Sequence, residues 1–368
     1  MKGRTAVLKK YFEPMELLEY DVPDPEPGAV LVKITMAGLC GSDLHTWRGD
    51  QVNRPLPATG RPMGHEGVGV ISALGAGVEA DFNGEQVKEG DRVIFSAVFS
   101  CNRCLACISG DHNLCNQFRL NYRPAGDEHP YFVNTYADFD YLPPGHAFFK
   151  VPDELSDEMV VSLNCAMGTV LQGIDSVQLR QGQKVVVQGV GGLGQYAVAF
   201  AKDIGASQIV AIDGQQPRLE LASEFGATDT INVKEYDTSE SRVQRIAELT
   251  GGGADLVIEL VGLGELMAEG INMLRPGGSF LEIGNLMLGR TATIEPVLLI
   301  RRKRIVGSAM YRPSILPRIL DFLVRNAKQM PFDKVISHKF PLEDINDAFG
   351  QAEWVDRSTS VIRGAIVP

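Results

Sequence analysis

A cysteine, a hydroxyl two residues later and a histidine five residues later stand together in Ala37-Gly-Leu-Cys-Gly-Ser-Asp-Leu-His45. As a thiolate, Cys40 can ligate a metal. The Ser42 hydroxyl can hydrogen-bond an alcohol oxygen, and the His45 imidazole can take a proton onward. The competing reading is a packed structural thiol beside an unrelated histidine, since reactivity and not packing usually decides the role of a cysteine. The two are separated by whether the chain supplies the remaining parts.

The clearest of those parts is Cys101-x2-Cys104-x2-Cys107-x7-Cys115. Four thiolates this close in sequence can close a tetrahedron around Zn²⁺, the usual form of a structural site. Such a site has no open position and ties down a loop that has little core of its own. An iron–sulfur cluster would use the same donor type. The bacterial ferredoxin run, however, has a short last gap ending in Cys-Pro, and here seven residues intervene and Asn116 follows. Disulfides or free thiols are the remaining alternatives.

Cys40 and Cys165 are then left over. With His65, in Gly64-His-Glu-Gly67, they make two thiolates and one imidazole, a three-ligand set that leaves a fourth position for water or a substrate oxygen. A zinc ion there acts as a Lewis acid and lowers the pKa of a bound alcohol. The adjacent Glu66 is expected to orient or modulate the site. A core thiol for Cys165, a structural histidine for His65 and a solvated charge for Glu66 stay open at this point.

Gly189-Val-Gly191-Gly-Leu-Gly194 is a GxGxxG. It follows the strand-like Val185-Val-Val187 and opens an Ala-rich helix, the context the motif requires. Gly189 allows the tight turn, and Gly191 lets the backbone approach a pyrophosphate at the helix N-terminus. Gly194 lets helix and strand pack closely, and Gly192 and Leu193 complete the loop. Asp213 stands at the end of the next strand, where a carboxylate can bond a ribose 2′-OH and repels a 2′-phosphate, so NAD is expected over NADP. Arg218 can reach the adenosine ribose or be an ordinary helix charge.

These residues need elements to hold them. Residues 1 to about 95 read as strands and turns: the β-rich 29–36, the strand beginning near His65, and 92–95. They suggest a compact all-β unit. The segment 116–130 reads as a surface loop. From about Met159 the pattern changes to strands alternating with helices. The strands are 184–189, 208–212, 255–259 and 279–283; the helices are 195–204, 217–225 and 266–274. Together they predict βαβ units and a parallel sheet. The tail predicts a helix at 316–326, a short strand at 335–338, a helix at 342–350 and a closing strand, returning to the first domain.

The chain has 368 residues, enough for two domains, and 44% of them are hydrophobic. The net charge of -11 argues against nucleic acid or an anionic membrane as partner. No stretch has the length of a membrane span, and the N-terminus shows no apolar signal core. The reducing cytoplasm is the expected location, and metal ligation the expected use of the six cysteines.

Taken together, Gly38-Leu-Cys-Gly-Ser-Asp-Leu-His45, Gly64-His-Glu-Gly67, the four-cysteine lobe, the glycine loop and Asp213 resemble the zinc-dependent medium-chain alcohol dehydrogenase family over nearly the whole chain. The resemblance implies an α/β protein with a β-rich part. A GroES-like catalytic domain (1–158 and 309–368, with the zinc lobe 101–115) carries a Rossmann domain (159–308) whose parallel sheet is doubly wound. It implies two zinc ions per chain, one on Cys40, His65 and Cys165 and one on the four-cysteine lobe, with NAD as cofactor. It implies that Ser42 bonds the substrate oxygen, His45 passes the proton to solvent by way of the cofactor ribose, Asp43 buttresses His65, and Arg363 binds the pyrophosphate. A homodimer or homotetramer is implied as well, with 280–284 and 305–309 as interface material.

The implied reaction is reversible, NAD-linked oxidation of an alcohol to a ketone or aldehyde by hydride transfer. Gly41 departs from relatives that carry a pyrophosphate-binding Arg or His there. Asn164-Cys165 resembles the alcohol type more than the polyol type, whose third ligand is Glu. Ala97 falls where relatives place a bulky aromatic, so a secondary or cyclic, rather apolar alcohol is expected. Trp47 and the loop 116–136 are expected to border the site. The alternatives are a polyol dehydrogenase of the same family, a zinc-free NADPH double-bond reductase, and a non-catalytic protein that keeps the fold.

Overall fold

The β-rich run near residue 30 forms the strand Val30–Leu39, the centre of a seven-stranded sheet. Its neighbours on the two sides are Glu66–Leu74 and Gly364–Val367. Arg92–Phe95 and Phe148–Lys150 extend the sheet one way and His338–Pro341 the other, while Phe139–Leu142 pairs with the first half of Val30–Leu39. A three-stranded sheet, Glu16–Asp21, Lys2–Leu8 and Arg61–Pro62, lies beside it. The computed structural model describes residues 1–50, 56–117, 119–120, 126–353 and 359–368. They divide into two units, Met1–Gly168 with Met310–Pro368, and Thr169–Ala309.

Register in the first unit does the positioning. Gly38 pairs with Glu66, and Leu39 pairs with Gly364. The end of one strand, the start of a second and the residue just before a third therefore meet beside Cys40. The all-β expectation for 1–95 fails here, because Gly41–Arg48 is an α-helix. The Asp43 side chain accepts from the Cys40 N–H, and Gly49 ends the helix at φ 74 in the left-handed region. A short helix with such local capping has little periodicity to read. The strand expected at 335–338 is instead a 3-10 turn, Phe332–Val335, and the strand begins at His338.

The second unit is a six-stranded parallel sheet in the spatial order Asp229–Asn232, Gln208–Asp213, Lys184–Gln188, Ala254–Glu259, Leu274–Glu282, Arg304–Gly307. The first strand in sequence is central and the order reverses around it, which is the doubly wound Rossmann arrangement. Val186, Val210, Ile212, Val257 and Phe280 fill its core with Ile246 and Ile271 from the covering helices. The helices Gly168–Val177 and Ser239–Thr250 and the strand Asp229–Asn232 were not legible in the sequence. The last is a four-residue polar strand, Asp-Thr-Ile-Asn, with only Ile231 fully buried. Residues 159–168, expected in the cofactor domain, belong to the first unit.

Candidate active site

Cys40, His65, Glu66 and Cys165 each offer a donor atom, all within 4.8 Å of one another and all buried. His65 Nε2 lies 3.2 Å from Cys165 Sγ, and the two sulfurs are 3.9 Å apart. Cys40 sits at the N-terminus of the helix Gly41–Arg48, whose backbone favours a negative charge there. Cys165 comes from a π-helical turn, Leu163–Met167, a local form found often at functional sites. The preceding residue, Asn164, is held through both its backbone and its side chain. Tyr311 OH donates to the Asn164 carbonyl and accepts from the Ala97 N–H at 2.9 Å, and Asn164 Nδ2 donates to the Phe95 carbonyl at 2.8 Å.

His65 Nδ1 is 3.0 Å from Asp43 Oδ1, which fixes the proton on that nitrogen and turns Nε2 toward the sulfurs. Tyr136 OH donates to Asp43 Oδ2 at 2.7 Å. Burial pulls the His65 pKa down, but the Asp43 carboxylate and Cys40 outweigh it, so the ring is held well above its ordinary value. A hydrogen bond from Cys165 holds Cys40 well below the usual thiol range, and Cys165 is pushed up by the same pairing and by burial. Charge on one thiolate thus raises the cost of charge on the other, a repulsion that a divalent cation relieves.

Glu66 is fully buried, and its Oε1 accepts from Arg363, which is 4% exposed. Its Oε2 has no hydrogen-bond partner among the described residues. Burial lifts this carboxyl to about 7 against the pull of Arg363. An orphaned buried carboxylate oxygen beside two thiols and an imidazole is the donor set of a metal centre, and zinc fits it. The partner of Arg363 is Glu66, which the sequence did not indicate.

Ser42 Oγ lies 3.4 Å from Cys40 Sγ and 3.5 Å from His65 Nε2, over the same donors. His45 is three residues further along the same helix, hence on the same face. Ala97 is fully buried. Trp47 Nε1 donates to the Glu13 carbonyl, and its ring packs against Phe12 and Phe349. In the loop 116–136, residues 118 and 121–125 lie outside the described residues. Its later part is tied down rather than free, with Gly126 bonded to Gly60 and Tyr131 stacked on Tyr20 at 4.5 Å. The supporting contacts of Tyr136, Tyr311 and Asn164 were not legible, because each is made with residues far away in sequence.

The four-cysteine lobe is a second donor set. Its sulfurs are 3.5 Å apart for Cys104–Cys107 and Cys101–Cys115, and 3.9 Å for Cys101–Cys107 and Cys104–Cys115. Four thiolates about 2.3 Å from one zinc form a tetrahedron with edges of about 3.8 Å. The observed spacing is that of one ion. It is far too long for disulfides and too tight for thiolates spread over several irons. The backbone N–H of Cys107 lowers the Cys104 thiol to about 6, readying it as a ligand.

In the second unit Gly189 has φ +86, and a Cβ on Gly194 would strike the Gly189 carbonyl oxygen at 2.1 Å. Neither position admits a side chain. A Cβ on Gly191 would meet nothing nearer than Arg218 at 3.8 Å, so the loop is open where a phosphate would approach. Gly192, Leu193 and Gly194 form the first turn of the helix Gly192–Ile204. Asp213 accepts from the N–H groups of Val190 and Gln215, and Arg218 lies 3.9 Å from it. This fits a dinucleotide with an unphosphorylated ribose. No helix among the described residues is long and apolar enough to cross a membrane.

Residues 26–153 match the family model of the alcohol dehydrogenase GroES-like domain, and residues 192–325 that of the zinc-binding dehydrogenases. The 5-exo-hydroxycamphor dehydrogenase of Pseudomonas putida is 34% identical over 91% of both chains. The S-(hydroxymethyl)glutathione dehydrogenase of Synechocystis sp. is 31% identical over 95% of this chain and 96% of its own. Among solved structures, an alcohol dehydrogenase from Thermotoga maritima superposes with a TM-score of 0.91 over 100% of both chains at 28% identity.

Proposed function

Because the chain belongs to the zinc-dependent medium-chain alcohol dehydrogenase family, and so oxidises alcohols, we propose that its substrate is a bulky secondary or cyclic alcohol and its cofactor NAD. The unit Met1–Gly168 with Met310–Pro368 is then catalytic, and Thr169–Ala309 holds the cofactor. The observation that carries the reaction class is the buried set Cys40, His65 and Cys165 with Ser42 above it. By the resemblance, Ala97 falls where relatives carry a bulky aromatic, and its small side chain is the ground for expecting a ring there; the hydroxycamphor enzyme is named for a cyclic secondary alcohol.

Zinc, when held by Cys40, His65 and Cys165, supplies a Lewis acid for the substrate oxygen, and the nicotinamide, when bound, accepts the hydride. The chain's own residues handle the proton and the placement. Ser42 bonds the substrate oxygen and starts its proton outward, and His45, at the outer end of the relay, passes it to solvent. Asp43 fixes His65. Glu66 offers a fourth donor that can exchange with water. Arg363 neutralises Glu66, and by the resemblance it would also bind a pyrophosphate. Gly189, Gly191, Gly192, Leu193 and Gly194 cradle that pyrophosphate, Asp213 takes the ribose hydroxyls, and Arg218 stands beside them.

The protein is further proposed to be cytoplasmic and a homodimer or homotetramer. The strand Arg304–Gly307 is an edge of its sheet, and Ile305, Leu288, Val297 and Ile300 are exposed near it in sequence. NADH formation over a panel of primary, cyclic secondary and polyhydric alcohols tests the substrate. Preference for cyclic secondary alcohols, lost in Ala97→Phe, supports it; preference for polyols overturns it.

A further inference from the structure

His45 does not stand alone on its helix. Its Nδ1 lies 3.0 and 3.1 Å from the two carboxylate oxygens of Asp50. Arg48 Nε donates to Asp50 Oδ2 at 2.8 Å. Arg48 Nη1 donates to both oxygens of Glu353 at 2.8 and 2.7 Å. Arg48 Nη2 lies 3.0 Å from the same His45 Nδ1. His45 and Arg48 are each 8% exposed and Glu353 is 9% exposed, so water does little to soften these interactions.

The two contacts at Nδ1 make opposite demands. Arg48 can only donate, so it asks for a bare nitrogen, whereas the carboxylate can only accept and asks for N–H. Two carboxylate oxygens facing a lone pair would be repulsive, while the guanidinium already has Asp50 and Glu353 as acceptors. The proton therefore sits on Nδ1. We propose that Asp50 is a positioning residue for the proton relay: anchored by Arg48 and Glu353, it holds the Nδ1–H of His45 and so makes Nε2 the nitrogen that receives the relayed proton. In the net transfer the substrate O–H bond breaks and a His45 Nε2–H bond forms, while Ser42 gives up one proton as it takes another and ends unchanged. Asp50 stabilises the resulting imidazolium, which then loses its proton to water. This role rests on the alcohol-oxidation reading above. Burial, only partly offset by Asp50, keeps His45 below its ordinary pKa, so the ring is ready to accept at neutral pH.

The first test is the tautomer, read by long-range ¹H–¹⁵N NMR on holoenzyme with ¹⁵N-labelled histidines, with His45→Gln assigning the resonance. We expect Nδ1 protonated and Nε2 bare. In Asp50→Asn the Arg48 donor holds the amide oxygen and turns its NH₂ to Nδ1, so the proton moves to Nε2. A wild-type spectrum with the proton on Nε2 overturns the proposal, and this result stands even if the variant does not fold. The second test is kinetic. D50N should lower kcat about 10²-fold at unchanged zinc content and KM for NAD, and should change kcat less than twofold in an H45Q background. An equal loss in both backgrounds makes Asp50 merely structural and overturns the proposal. A wild type that oxidises no alcohol overturns the reaction reading itself, whatever the tautomer.

Discussion

Asp43 Oδ1 lies 3.0 Å from Nδ1 of His65, within a pocket where both residues are at most 4% exposed. The contact sets which imidazole nitrogen faces the thiolates. Oδ2 of the same carboxylate accepts from Tyr136 OH and the Cys40 N–H, so its orientation is fixed too.

In Asp43→Asn those two donors will hold the amide oxygen, leaving NH₂ against His65. The proton then moves to Nε2, the ligating nitrogen. Zinc affinity at this site should fall about 10- to 100-fold, measured by chelator competition, with the four-cysteine zinc unaffected. Unchanged affinity would show that His65 does not depend on this bond.

Arg363 and Glu66 form a buried ion pair. Arg363→Met strands a carboxylate without its cation, and should destabilise the protein by roughly 3–5 kcal/mol in urea denaturation. Adding Glu66→Gln should recover most of the loss. Equal stability of the single and double variants would contradict this.

Buried His146 donates from Nε2 to the Ser96 carbonyl at 2.6 Å, and burial lowers its pKa to about 4. Its unfolded value is about 6.5, so the unfolded chain takes up this proton first. The stability is fully present above that value and drains away as pH falls, by about 3 kcal/mol at pH 4. His146→Gln should flatten the stability–pH curve between pH 7 and 4; an unchanged slope would assign the effect to other groups.

Cys104→Ser opens the lobe tetrahedron. We expect one zinc per chain instead of two by elemental analysis and faster proteolysis within 101–115, with the other metal retained. Loss of both ions at once would mean that the two sites are not independent.

Asp213→Ala removes the charge that repels a 2′-phosphate. The NAD-over-NADP ratio of kcat/KM should drop at least tenfold. No change would move the discrimination to another residue.

Much of this protein follows from local sequence. The spacing of Cys101, Cys104, Cys107 and Cys115 is readable as a closed metal-binding set because chain connectivity alone brings those sulfurs together. The glycine loop is equally local: Gly189 needs its positive φ and Gly194 its missing Cβ, whatever the rest of the chain does. The alternating pattern after residue 159 revealed most strands of the parallel sheet, since buried strands are written as apolar runs.

The second metal centre is different. Cys40, His65 and Cys165 were paired by elimination and resemblance, but only antiparallel register brings Gly38 beside Glu66, and only the π-turn held by Tyr311 delivers Cys165. Tyr136 on Asp43, Arg363 on Glu66 and Glu353 on Arg48 join residues separated by 93, 297 and 305 positions. No period or spacing encodes such contacts. Tertiary packing alone decides them, because a buried charge takes whatever partner the folded chain places within reach, and that partner then sets its protonation and direction.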